Sequence, residues 1–115
     1  MSTQEQTAAV LKHHLDSFLA SDFPAILSDY TDDSVIITPA GTFKGVAELQ
    51  EAIGQMIGLF TPENLSQMQM LRQDIQGEVA FVAWTMGDAI PFGTDTFVIR
   101  NGKIAVQTMG MHLPQ

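Results

Sequence analysis

The stretch that decides the fold is TDTFVIRNGKIAVQTMG, residues 94–110. An Asn-Gly pair lies between two runs rich in β-branched and apolar residues, which is a strong short-range signal for a β-hairpin. In the first run Asp95, Phe97 and Ile99 alternate, so they share one face of the predicted strand. A carboxylate in line with two apolar side chains is costly to bury without partners. Asp95 is therefore the first candidate functional residue.

The strand pattern extends over the second half of the chain. From residue 64 onward the spacing of apolar residues changes from 3.6 to 2, which predicts strands at about 65–75, 78–88, 93–100 and 103–111. The second of these strands is apolar on both faces, and the last is predicted to place Ile104 on the face opposite Met109. Because three helices cannot cover both faces of a sheet in so small a protein, we expect a second subunit on the outer face.

The first half of the chain is predicted to be mainly helical. The first helix has one apolar stripe, formed by Thr7, Val10, Leu11, His14, Leu15 and Phe18. Asp22 is the expected N-cap of a second, short helix, and a strand–turn–strand unit comes after it. A third helix is expected to end at Thr61-Pro62. Helices, a hairpin, another helix and a meander together predict an α+β fold with helices on one face of the sheet.

Length and composition limit the class of protein. A chain of 115 residues suits one domain, predicted to span residues 1–115. Five basic residues against 13 acidic ones give a net charge of -8, which disfavours nucleic acid and anionic membranes as partners. The absence of cysteine excludes thiol catalysis. The N-terminus MSTQEQTAAV lacks signal-peptide features, so we expect a cytoplasmic protein.

Two stretches resemble a known family. The run TDDSVIITPAGTFKG (31–45) and the run DTFVIRNGKI (95–104), in this order of elements, resemble the SnoaL-like and ketosteroid-isomerase-like branch of the NTF2-like superfamily. The resemblance covers nearly the whole chain. It implies a cystatin-like cone in which three N-terminal helices pack on a curved, mainly antiparallel sheet and enclose a hydrophobic pocket. It also implies a homodimer formed through the convex face of the sheet.

The resemblance further implies roles for individual residues. In steroid isomerases of this branch, a tyrosine and a protonated aspartic acid form the oxyanion hole, and a second aspartate moves the proton. By position, Asp95 matches the acid, His14 stands in place of the tyrosine, and Thr38 replaces the base aspartate. Asp95 and His14 are therefore the candidate catalytic residues. A threonine hydroxyl cannot act as a base near neutral pH, so steroid isomerisation by the known mechanism is not expected.

The candidate substrate-binding residues share positions on faces that are predicted to line the pocket. They are Thr38, Gln107, Trp84, Phe18, Tyr30, Met56, Phe60 and Met109. For each of them ordinary core packing is the alternative. His13 lies about 100° around the helix from His14, so the two histidines cannot form a metal pair. No other cluster has ligand spacing, and we expect neither a metal nor a cofactor.

Two kinds of function remain open at this point. The first is an isomerase, cyclase or dehydratase that applies general acid–base chemistry to a small apolar carbonyl or hydroxyl compound. The second is a non-catalytic ligand-binding or subunit-association module of the same superfamily. Convergence of Asp95 and His14 on an enclosed cavity would favour the enzyme, whereas a solvated Asp95 would favour the binding module.

Overall fold

The computed structural model describes residues 2–114, which form four helices and six strands. The helices are α1 (Thr3–Leu19), α2 (Phe23–Leu27), α3 (Gly45–Ile57) and α4 (Pro62–Leu65). The strands are β1 (Val35–Thr38), β2 (Gly41–Lys44), β3 (Met68–Gln76), β4 (Val79–Met86), β5 (Ile90–Arg100) and β6 (Lys103–His112). Within residues 2–114, no helix combines the length and the apolar character needed to cross a membrane.

All six strands belong to one sheet, in the order β2-β1-β6-β5-β4-β3. β1 runs parallel to β6, and every other neighbouring pair is antiparallel. Helix α1 contacts β3, β4 and β5, while α3 contacts β1 and β2, so the two long helices cover different halves of the inner face. This arrangement confirms the predicted α+β class.

The N-termini of the helices obey local sequence rules. Ser2 and Glu5 form a capping box at the start of α1, since the Ser2 hydroxyl accepts from the Glu5 amide and the Glu5 carboxylate accepts from the Ser2 amide. The predicted N-cap of α2 is confirmed, because the Asp22 carboxylate accepts a hydrogen bond from the Ala25 amide. Along α1 the predicted apolar stripe faces the sheet, and His14 within it is only 1% exposed.

Three predicted boundaries are wrong. Helix α3 ends at Ile57, four residues before Thr61. The Thr61 hydroxyl instead accepts a hydrogen bond from the Asn64 amide, and Pro62 takes the first position of α4, where it is tolerated. The third strand consequently begins at Met68 rather than near residue 65. Strand β5 begins at Ile90, earlier than the predicted 93. Pro91 is accommodated there because it lies before the first paired residues of β5, where no ladder N–H is required.

A β-bulge overturns the predicted alternation of β6. Ile99 pairs with Ile104, whereas Val98 pairs with Val106, so Ala105 is an extra residue on β6. An extra residue turns the side chains that come after it in the strand to the opposite face of the sheet. Ile104 therefore lies on the inner face together with Met109, not opposite to it, and is 1% exposed.

Candidate functional site

Asp95 lies in the middle of β5 on the inner face of the sheet, and 8% of its surface is exposed. Its Oδ1 accepts a hydrogen bond of 2.9 Å from Nε1 of Trp84 on β4. Its Oδ2 accepts a second one of 2.9 Å from Nε2 of Gln107 on β6. β5 pairs with both of these strands, so the register brings one donor from each side. The carboxyl group is thus held by two neutral donors.

A glycine on β5, directly opposite Trp84, allows the indole ring to reach Asp95. Trp84 pairs with Gly93 on β5. A Cβ atom added at Gly93 would lie 2.3 Å from Cζ2 of the indole, so the ring occupies the space that any other side chain would fill. Gly93 therefore lets the indole lie across β5 with its N–H directed at the carboxyl group of Asp95.

Burial dominates the electrostatics of the acid. Loss of solvent around the charged form raises the pKa of Asp95 above its ordinary value of 3.8. The hydrogen bonds from Trp84 and Gln107 and the nearby His14 oppose this effect without cancelling it. Arg100, on the same strand, points away and bonds Glu78 at the surface with an Nε to Oε1 distance of 3.2 Å. Asp95 therefore binds a proton more readily than an exposed aspartate.

A chain of hydrogen bonds continues from Gln107 into the helices. Oε1 of Gln107 accepts from the Tyr30 hydroxyl at 2.5 Å. The same hydroxyl lies 3.3 Å from Nε2 of His14, and Nδ1 of His14 lies 3.1 Å from Oδ2 of Asp29. Asp29 also contacts Nδ1 of the half-exposed His13 at 2.8 Å. A continuous polar network thus links Asp95 to the protein surface.

The loop after α2 supplies the middle of this network. It is fixed to the sheet by a hydrogen bond of 2.7 Å from the Ile104 amide to the Asp29 carbonyl. Burial raises the pKa of Tyr30 well above 10.0, and the negative charges of Asp95 and Asp29 reinforce the shift. The phenol therefore stays neutral and acts in the network through its single O–H.

The polar candidates Asp95, His14 and Gln107 line one cavity of about 70 Å³, which we name the inner cavity. The walls are otherwise mainly apolar and include the candidates Phe18, Met56, Phe60, Trp84 and Met109. The His14 ring packs edge-to-face against Phe18 and Phe97, with ring centroids 5.1 and 5.4 Å apart. The inner cavity therefore presents a few fixed polar atoms within an aromatic and methionine-rich wall.

Two candidates lie elsewhere. Thr38 lines a second cavity of about 390 Å³, the outer cavity, between α3, the β1–β2 hairpin and the end of β6. Its hydroxyl accepts from the Ala40 amide at 3.1 Å and serves the hairpin turn. Strand β6 separates β1 from β5, so Thr38 does not share a wall with Asp95. Tyr30 is 5% exposed and touches the site through Gln107 rather than lining the inner cavity.

Met56 and Met109 line both cavities and therefore stand between them. Met56 comes from the last turn of α3, and Met109 pairs with Asp95 across β5 and β6. Methionine has three rotatable bonds, so these side chains can rearrange more easily than branched residues. The two cavities are adjacent compartments with a flexible partition.

Sequence reasoning missed Asp29 and Gly93. Asp29 lies in a loop, where hydrophobic periodicity carries no information, and the role of Gly93 depends on a cross-strand partner. Among residues 2–114, no group of three or more His, Cys, Asp or Glu side chains could hold a metal ion. Every buried side-chain nitrogen or oxygen in the same range has a hydrogen-bond partner.

Many solved structures have a fold similar to that of this chain. An NTF2-like protein of unknown function from Mesorhizobium loti has a TM-score of 0.78 at 18% identity, covering 97% of this chain and 95% of that one. An NTF2-like protein of unknown function from Burkholderia xenovorans has a TM-score of 0.76 at 21% identity, covering 96% and 86%. A proposed ketosteroid isomerase from Kribbella flavida has a TM-score of 0.72 at 16% identity, covering 100% and 84%.

These structural similarities identify the fold, since all three identities are low. A search of the curated proteins finds none that matches the chain. A family profile described as the SnoaL-like domain matches residues 11–107, which include α2, α3, all strands from β1 to β5 and most of the candidate site residues. The chain therefore belongs to the SnoaL-like domain family and has the NTF2-like fold.

Proposed function

We propose that the protein binds a small, largely apolar molecule by a carbonyl or hydroxyl group placed in the inner cavity beside Asp95. The observation that carries this proposal is a buried carboxyl group on the wall of an otherwise mainly apolar cavity, where loss of solvent raises the pKa of Asp95. Pockets of this type, with few polar groups on an apolar wall, are typical of small-molecule sites. A protonated Asp95 donates to a carbonyl oxygen, and an ionised Asp95 accepts from a hydroxyl group.

The size of the two compartments supports an elongated ligand. A dry cavity of about 150 Å³ is known to hold one benzene molecule. The inner cavity, about 70 Å³, is smaller than that and accommodates only a small head group. The outer cavity, about 390 Å³, has room for an apolar body, which would pass between Met56 and Met109. A linear molecule with one oxygen near its end fits this shape.

General acid–base chemistry is part of the proposal. Asp95 would polarise the ligand oxygen or exchange a proton with it, and His14, on the wall of the same cavity, would be the second proton-carrying group. The similarity to a proposed ketosteroid isomerase agrees with chemistry at a carbonyl compound. The position of the usual base holds Thr38, so a reaction here would use Asp95 or His14 for both steps.

The alternative is a binding module without catalysis. It is favoured by two observations. Both oxygens of Asp95 already accept hydrogen bonds from the protein, and no further carboxylate lines the inner cavity among residues 2–114. The two alternatives predict the same ligand shape. They differ in whether a bound carbonyl compound exchanges the hydrogens on its α-carbon with solvent at a rate above that in buffer.

A series of 2-alkanones from 2-butanone to 2-nonanone tests the proposed site. Trp84 is the single tryptophan of the chain and lines the inner cavity, so its fluorescence reports binding directly. We expect affinity to rise with chain length by about fourfold for each added methylene, from about 0.8 kcal/mol per buried CH₂. We also expect ketone binding to weaken as pH rises through the pKa of Asp95, because only the protonated acid donates to a carbonyl.

Matched variants define the controls. Asp95→Asn keeps the shape but removes the titration, so its ketone affinity should not depend on pH in this range. Asp74→Asn removes a more exposed carboxylate on β3 and should leave the wild-type pH profile intact. An unchanged pH profile in Asp95→Asn, or affinity that does not depend on chain length, would contradict the proposal.

We further propose that the protein forms a homodimer through the outer face of the sheet. That face carries exposed apolar side chains, including Ile37, Val79 and Phe92 at 44%, 41% and 49% exposure. The centre of the face is built from uncharged residues such as Thr96 and Val98. Exposed apolar side chains on a sheet face that no helix covers support an interaction site there.

Sedimentation at micromolar concentration tests this assembly. We expect a mass of about 25 kDa, twice the 12.5 kDa of one chain, from a two-fold pair. Thr96→Arg, which places a charge at the centre of the face, should give the monomer, whereas Gln50→Arg on the exposed side of α3 should not. A wild type that sediments as a monomer would contradict the proposal.

A further inference from the structure

We propose that Asp95 and His14 share a single proton through Tyr30 and Gln107, and that the orientation of the Gln107 amide decides which of the two carries it. The inference rests on the directions that the hydrogen bonds must take, and it holds with or without a ligand. It makes Gln107 a positioning residue that couples two groups which do not touch each other.

The first arrangement is given by the placed atoms. Gln107 donates from Nε2 to Asp95, so its Oε1 must accept the Tyr30 proton. Since Tyr30 has only one proton, its oxygen must accept at the contact with Nε2 of His14. Nδ1 of His14 faces the Asp29 carboxylate, which also accepts. Both ring nitrogens of His14 then carry protons, which makes His14 an imidazolium. Asp95 is ionised in this arrangement because both of its oxygens accept hydrogen bonds.

The second arrangement occupies the same space. The two ends of an amide are nearly identical in shape, so Gln107 can rotate to present Oε1 to Asp95 and Nε2 to Tyr30. Asp95 must then be protonated and donate to Gln107. The Tyr30 oxygen accepts from the amide, and its proton turns to Nε2 of His14. His14 becomes neutral, with its single proton on Nδ1 facing Asp29.

The two arrangements contain the same number of protons. Four contacts, Asp95–Gln107, Gln107–Tyr30, Tyr30–His14 and His14–Asp29, each need one hydrogen. Going from the first arrangement to the second, Nε2 of His14 loses one proton and Oδ2 of Asp95 gains one. If the shared proton were removed, the Tyr30 proton would have to serve two acceptors at once. At one buried contact, two lone pairs would then point at each other with no hydrogen between them, which is costly in a low dielectric.

The surroundings leave the network few other partners. Asp95 is faced by Trp84, a fixed donor, and by Tyr30 and His14 as titratable groups. His14 is faced by Asp29 and Tyr30 and otherwise packs on Phe18 and Phe97. At the outer end Asp29 is contacted by His13 as well. Both oxygens of Asp29 lie within hydrogen-bond distance of a histidine Nδ1, so Asp29 accepts at both contacts and the shared proton is placed between His14 and Asp95.

The shared proton has a direct consequence for binding. In the second arrangement the Asp95 proton is donated to Oε1 of Gln107, so a ketone would have to compete with Gln107 for that proton. A ligand that donates a hydroxyl would favour ionised Asp95 and charged His14. Such a ligand could thus select the first arrangement without exchanging a proton with bulk water.

Nitrogen NMR of the His14 ring in the ligand-free protein tests the proposal. The amide introduced by Asp95→Asn can only donate at the Gln107 contact while accepting from Trp84, so it imitates the second arrangement. We expect this variant to remove the proton from Nε2 of His14, with the large downfield shift of an unprotonated ring nitrogen. Unchanged His14 nitrogen shifts between wild type and Asp95→Asn would overturn the proposal.

Gln107→Met provides an independent test because it removes the amide that links Asp95 to Tyr30 and His14, while Asp95 and His14 themselves are unchanged. In the wild type, we expect the Asp95 carboxyl carbon and the His14 ring nitrogens to change at the same pH. In Gln107→Met they should change at different pH values. Thr7→Val, which removes a buried hydroxyl of α1 outside the network, is the matched control and should behave as the wild type. Coincident changes that survive in Gln107→Met would also overturn the proposal.

Discussion

The inner and outer cavities are neighbours, yet they differ in almost every property that matters for chemistry. The inner cavity is small and carries Asp95, His14 and Gln107, whose polar atoms are fixed by one network. The outer cavity is several times larger, and the hydroxyl of Thr38 on its wall is occupied by a turn. Reactive groups and space are thus divided between two compartments. This difference indicates that the head and the body of a ligand are recognised separately.

The largest expected effect concerns steroid isomerisation. Because Thr38 holds the position of the proton-abstracting aspartate and lies in the other compartment, no second carboxylate among the described residues faces the acid. General-base catalysis contributes about 10²–10⁴-fold, so the wild type should isomerise a Δ5-3-ketosteroid at close to the buffer rate. The absorbance of the conjugated ketone product measures this. A rate well above buffer that is lost in Asp95→Asn would show that the inner cavity supplies its own base.

The next prediction concerns the geometry of the inner cavity. Gly93→Ala places a Cβ atom in the space of the Trp84 indole, so the ring must move away from Asp95. Overpacking of this kind costs about 1–3 kcal/mol of the free energy of unfolding, measurable by urea denaturation. Trp84 fluorescence should shift as well, since the indole N–H loses its carboxyl partner.

Gly110→Ala is the matched control for this change. Gly110 lies in the same sheet on β6, pairs with Thr94, and has nothing within 4 Å of an added Cβ atom. It should leave both stability and fluorescence near the wild-type values. Equal losses in the two variants would mean that the sheet, not the Trp84 ring, resists the added methyl group.

Gly93 and Asp29 also show where prediction from the sequence ends. Alternation along β5 correctly placed Asp95 on the buried face, and the stripe of α1 correctly buried His14, because both depend on one element at a time. Ile104 was placed on the wrong face, since a bulge is decided by pairing between strands. Asp29 belongs to the site although it lies in a loop. Thr38 lies outside the site because β6 separates its strand, β1, from β5. Periodicity cannot supply contacts between distant elements.

The partition between the cavities can be stiffened with little change in volume. Met109→Leu replaces a flexible side chain by a branched one of similar size, a change that costs less than about 1.5 kcal/mol. We expect the Kd of 2-nonanone to rise by up to about tenfold, because its chain must pass the partition. The Kd of 2-butanone, which has no long chain to pass the partition, should stay nearly constant. Equal changes for both ketones would argue against two compartments.

A smaller effect is expected on the pH dependence of stability. The folded-state pKa of Asp95 is raised, so its contribution to stability is present below the ordinary value of 3.8 and is lost as pH rises through the folded-state pKa. Each unit of elevation corresponds to about 1.4 kcal/mol. Asp95→Asn should therefore gain stability relative to the wild type as pH rises across this window. A difference in Tm that is constant with pH would contradict the burial of a titrating acid.

The most direct test of the central claim is the carboxyl carbon titration of Asp95 by NMR, with Asp95→Asn used to assign the resonance. The proposed role of Asp95 rests on a carboxyl group that burial makes easy to protonate, despite donors at both oxygens. We predict a pKa above the ordinary value of 3.8. A pKa at or below that value would mean that Asp95 is solvated or stabilised as an anion, and it would contradict the proposed role of Asp95 in the inner cavity.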